Sequence, residues 1–133
     1  MSGLKDIMTR EIDALRRLLE LLEEQYRLII SKEIFSLETA AEEIRKINKS
    51  VAELEIERRS FLGNKSMKSI IEAGSEEEEL FRSVRRLLQE LKLQKESNDL
   101  LIKQNLNFTN KLLAFINPNR NTATYDARGN FKR

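Results

Sequence analysis

From Met8 the apolar residues recur at alternating spacings of four and three, through Ile12, Leu15, Leu19, Leu22, Tyr26 and Ile29. That is the heptad period of a helix with one buried face, and it predicts a helix over residues 4–30. Leu18, Leu21 and Leu28 widen the stripe beyond a two-stranded seam, so this helix is expected to touch more than one neighbour. The period restarts after SKEIFS, with Ser36 as N-cap and Glu38 in the first turn. It runs through Leu37, Ala40, Ile44, Ile47, Val51, Leu54, Arg58 and Phe61, which predicts a second helix over 37–62. Gly63 and Asn64, residue types that tolerate positive φ, end it. Arg58, the polar member of this stripe, reads either as a side chain snorkelling at the bundle end or as a charged register key.

SMKSIIEA predicts a short helix over 66–73 with Met67, Ile70 and Ile71 on one side. Gly74 interrupts, and Ser75 followed by Glu78 makes a capping box, with Glu76, Glu77 and Glu79 complementing the dipole of a last helix over 76–116. Pro118 stops it, because the residue before proline is pushed out of helical geometry. Its stripe is Leu80, Val84, Leu87, Leu91, Gln94, Asn98, Leu101, Asn105, Phe108, Leu112 and Phe115. The three amides in it either specify register or meet a partner outside the chain. Asp13/Arg17, Glu23/Arg27, Glu42/Lys46, Glu55/Arg59 and Glu78/Arg82 place an acid four residues before a base, the pattern of an exposed helical surface.

These elements predict an all-α fold: an elongated antiparallel bundle of three long helices over 1–117, with a short crossover helix and an irregular tail over 118–133. The first two helices are each roughly 40 Å long and the last roughly 60 Å, at about 1.5 Å per residue. Antiparallel return would therefore leave the stretch from Lys103 onward overhanging. Composition shifts at the same place: residues 76–96 hold eleven charges, residues 97–116 only three. Leu100, Leu101 and Ile102 point in three directions around the helix, and Leu106, Phe108, Leu112, Leu113, Phe115 and Ile116 crowd the final turns. A helix apolar over this much of its circumference is normally covered. Two coverings suit it equally, a partner helix or self-burial by a homodimer or the tail.

Composition narrows the chemistry. The 133 residues include 24 basic and 22 acidic side chains, a net charge of +2, so no strong field selects nucleic acid or anionic membrane. Arg120, Arg128, Lys132 and Arg133 with Tyr125 and Phe131 make only a weak footprint for nucleic acid, which is not expected as a partner. Histidine and cysteine are absent, which excludes the common zinc sites, Ser/His and Cys/His nucleophile pairs and histidine acid/base pairs. The carboxylates read as solvated faces, so neither enzymatic activity nor a cofactor or metal is expected. No apolar run has the length of a secretory signal or a membrane span, and a cytoplasmic protein without stable membrane insertion is the expectation.

One resemblance adds to this. LEIERRSFLG at the end of the second helix, NDLLIKQNLNFTNKLLAFI and then TATYDARGNFKR resemble the FlgN-type flagellar type III export chaperones of bacteria. The more specific part is NxLLIxxxLxF from Asn98, followed by YDxxG from Tyr125. The resemblance implies a small helical chaperone, working without nucleotide or metal, that binds the C-terminal helices of hook-filament junction proteins, prevents their premature assembly and delivers them to the export gate. It places cargo binding on Leu101, Asn105, Leu106, Phe108, Leu112, Leu113, Phe115 and Ile116, and docking to the cytoplasmic domain of the export gate on Tyr125, Asp126 and Gly129. The alternatives are a homo-oligomeric bundle scaffold and an adaptor of another secretion system.

Overall fold

The computed structural model describes the backbone of residues 3–116, 124, 125, 131 and 132, and the side chains of residues 3–107 and 110, Ile70 excepted. Its helices are α1 (Leu4–Ser31), α2 (Ile34–Leu62), α3 (Met67–Ile70) and α4 (Glu76–Ile116). The all-α architecture and the three long helices are as the periodicity predicts. The chain divides into two compact units, residues 1–98 and 99–133, and α4 supplies residues to both.

In the first unit, ion pairs give the helix directions. Arg10 reaches Glu57 and Arg17 reaches Glu43, so partners descend along α2 as they ascend along α1, and the two helices are antiparallel. Lys5 pairs with Glu76, and Asn98 bonds the Leu22 carbonyl, so α4 ascends with α1. The core follows from the wide stripe on α1. Leu4, Met8, Ile12, Leu15, Leu18 and Leu22 pack with Met67 and with Val84, Leu87 and Leu91 of α4. From α2 come Ile44, Ile47, Val51 and Leu62, all half-buried, and Ala40 is the buried residue of that helix. Phe61, which the periodicity places in the stripe, is exposed, as is Ile56.

The helix ends are local chemistry. Lys32 closes α1 at φ 59°, donating to the Ile29 carbonyl while Glu33 donates to that of Leu28, the two bonds of a Schellman cap. α2 starts immediately afterwards at Ile34. Its N-cap is Glu33, which makes no side-chain capping bond, so Ser36 lies inside the helix and does not cap it. The hairpin brings Ser36 into helical geometry because the Schellman turn already reverses the chain. Gly63 ends α2 at φ 61° and ψ −126°, a conformation side-chain-bearing residues rarely adopt. The short helix is a single turn at Met67–Ile70 and not two, capped by Ser66, and Ile71 is already extended. At the start of α4, Ser75 accepts from the Glu78 amide at 3.2 Å. The reciprocal bond is shifted by one residue: Glu78 accepts from the Gly74 amide at 3.1 Å, since the Ser75 amide donates to Glu72.

In the second unit, α4 is followed by β1 (Thr124–Tyr125) and β2 (Phe131–Lys132), paired antiparallel with Thr124 opposite Lys132 and Tyr125 opposite Phe131. The tail, expected to be irregular, thus contains a minimal two-residue ladder.

Candidate functional site

Within the first unit, two of the three amides in the α4 stripe are taken up internally. Asn98 is 1% exposed. Its Nδ2 donates to the Leu22 carbonyl at 2.8 Å and to Gln25 Oε1 at 2.9 Å, and its Oδ1 accepts from Gln94 Nε2 at 2.9 Å. Each hydrogen-bonding function of the Asn98 amide therefore has a partner, which makes burial of a polar group tolerable. The register reading holds for Gln94 and Asn98.

The same is true of Arg58. Its Nε lies 2.8 Å from Glu11 Oε1, and both side chains are largely buried between α1 and α2. Burial pushes the Glu11 carboxyl above its ordinary value, and the charge and hydrogen bond of Arg58 oppose that rise. Beside this pair, Arg10 holds Glu57 at 2.8 Å and Asp6 at 3.1 Å. Arg58 is thus a register key and does not snorkel at an end. Of the acid-first pairs, Glu55–Arg59 and Glu78–Arg82 form. Arg17 turns instead to Glu20 and to Glu43 on α2.

Glu11 and Gln25 were missed by the heptad reading, although the spacing contained a signal. Glu11 follows Ile7 by four residues and precedes Leu15 by four, and Gln25 stands in the same way between Leu21 and Ile29. Each therefore lies on the buried flank of α1.

The second unit begins with the sparsely charged half of α4. Leu100, Ile102 and Leu106 are exposed, at 56%, 44% and 42%. Leu101 and Asn105 are half-buried. Of the residues assigned to cargo, Leu101, Asn105 and Leu106 thus fall on described side chains. The side chains of Phe108, Leu112, Leu113, Phe115 and Ile116 lie outside the described residues, although all five positions are helical. Tyr125 is described by its backbone in β1, and Asp126 and Gly129 lie outside the described residues. By helical period Leu100 lies on a different side of α4 from Ile102 and Leu106, and together they leave apolar area exposed on a stretch that holds few charges.

No described helix is long and apolar enough to cross a membrane. A family model described as FlgN protein matches residues 1–133, the full length given, and the chain belongs to that family of flagellar export chaperones. No curated protein and no solved structure matches the chain significantly.

Proposed function

From a chain of the FlgN family, with this surface on its last helix, we propose a chaperone for the C-terminal helices of hook-filament junction proteins in the bacterial cytoplasm. It keeps them from assembling prematurely and delivers them to the export gate. What carries the reading is the run of exposed apolar side chains, Leu100, Ile102 and Leu106, in the part of α4 that holds few charges. An amphipathic cargo helix lays its apolar face along the stripe that the sequence positions of Leu101, Asn105, Phe108, Leu112 and Phe115 share, with Ile102, Leu106, Leu113 and Ile116 on one flank, while Leu100 adds apolar area on the other. Each large side chain covered contributes roughly 1.5 to 3 kcal/mol before ordering costs are subtracted. Occupancy alone blocks assembly, so no catalytic step, nucleotide or metal is needed. Tyr125, Asp126 and Gly129 dock to the cytoplasmic domain of the gate.

The test is titration of the full chain with a junction-protein C-terminal peptide. Leu106→Glu and Leu112→Glu are expected to abolish binding while circular dichroism stays helical; undiminished binding by both variants removes the cargo surface from α4. Tyr125→Ala is expected to keep cargo affinity and weaken binding to the purified cytoplasmic domain of the gate, and equal loss of both would move the tail into the cargo site. Mass measured over a concentration series distinguishes a homo-oligomer, which the same glutamates would dissociate.

A further inference from the structure

The two connections of the first unit differ in a way that bundle closure does not require. α1 reaches α2 through Lys32 and Glu33 alone, whereas thirteen residues, Gly63 to Ser75, separate α2 from α4. Helix connections in bundles take about two to eight residues, and this one is long enough to hold a helical turn of its own. This one is not slack. Met67 is buried in the core and Ile71 packs against it. Gly63 and Gly74, both at positive φ, stand near its two ends.

What the segment builds is a cleft of about 340 Å³ lined by Met67, Lys68, Ile71, Ala73, Glu78, Phe81, Arg82 and Arg85. The floor is apolar: Met67, Ile71 and Phe81. The rim is basic. Glu78 is already engaged at both oxygens, by the Gly74 amide and by Arg82 at 2.6 Å. Lys68 and Arg85 have no ion-pair partner among the described residues, and Arg85 stands over the Phe81 ring, 5.8 Å from its centroid. Of the acidic residues at the start of α4, Glu78 lines the cleft and Glu76 is paired with Lys5, so the lining itself holds three cations against one carboxylate. An apolar cleft with a few convergent polar groups is the usual form of a binding site.

We infer that this cleft at the base of the first unit docks an acidic peptide segment of a partner protein, one large apolar side chain entering over Met67, Ile71 and Phe81 while neighbouring carboxylates pair with Lys68 and Arg85. Charge complementarity chooses this occupant. Both cations are exposed at the rim of a half-buried floor, so a carboxylate can reach them without full desolvation, and a basic or purely apolar segment would leave them unmatched. The cleft shares no residue with the cargo surface proposed on α4.

The experiment pans a phage-displayed library of random dodecapeptides against the immobilised full chain at low salt, then measures two selected peptides, fluorescein-labelled, by anisotropy. Selected sequences are expected to combine excess Asp and Glu with Leu, Ile, Phe or Met. The variant Lys68→Glu/Arg85→Glu should bind them at least about tenfold more weakly, with unchanged circular dichroism and unchanged affinity for the junction-protein peptide. Should that variant lose helicity, Lys68→Gln/Arg85→Gln replaces it, with weaker binding again expected. Binding should also weaken as salt rises. No enrichment, selected peptides without acidic excess, or binding indifferent to the charge changes would each overturn the inference.

Discussion

The side-chain amide of Asn98 on α4 donates to the main-chain carbonyl of Leu22 on α1 at 2.8 Å. This polar bond inside an apolar seam holds the two helices in one register, because a slip of a single turn would bury the amide without partners. Removing it has a graded cost. Asn98→Asp replaces both donors with an acceptor that faces the Leu22 carbonyl and Gln25 Oε1, whereas Asn98→Leu removes the polar group altogether. The aspartate variant should lose more, and the leucine variant about 1 to 3 kcal/mol, read from urea midpoints. The reverse order would mean that the network does not govern the seam.

The Glu11–Arg58 pair predicts strong non-additivity. Arg58→Met strands a buried carboxylate and should cost about 3 to 5 kcal/mol, while Glu11→Leu/Arg58→Met should recover most of that loss. A double-mutant cycle by chemical denaturation measures the coupling. Additive losses would show that the two side chains act independently.

The same carboxyl gives a pH dependence of known sign. Burial raises the Glu11 value above its ordinary 4.5. A group raised on folding contributes stability that is fully present below the unfolded value and lost as pH rises through the folded one. Glu11→Gln does not titrate, so the stability of the natural protein minus that of the variant should fall as pH rises above the ordinary value of 4.5. Glu42 and Glu76, held below the ordinary range by Arg45 and Lys5, work in the opposite sense but are common to both proteins and cancel. A difference that grows with pH would contradict the buried assignment.

Gly63→Ala places a Cβ at φ 61° and ψ −126°. No atom crowds the site, so any loss reports backbone strain alone. It should be about 1 to 3 kcal/mol, seen as a lower melting temperature, and it should exceed that of Gly3→Ala at the open N-terminus, where φ is −80°. Equal effects would remove the strained-turn account of how α2 ends.

The existence of the described helices, the approximate lengths of the three long ones and most of their ends were legible in the sequence because each is local, whereas the short helix came out at half its expected length. Heptad spacing specifies a buried face, Gly63 supplies a positive φ, and Ser75 with Glu78 satisfies free amides within one turn. Even there Ser36 misled, since a Schellman turn at Lys32 can start the next helix without a side-chain cap. The candidate surface was legible as composition, with Leu106 in a stretch that holds few charges. The partners of the polar groups inside the bundle were not legible. Arg58 meets Glu11 across 47 residues, and Asn98 meets Leu22 across 76. A heptad pattern tells which side of a helix is buried but not which residue of another helix stands opposite, and that is settled only when three helices choose one register together.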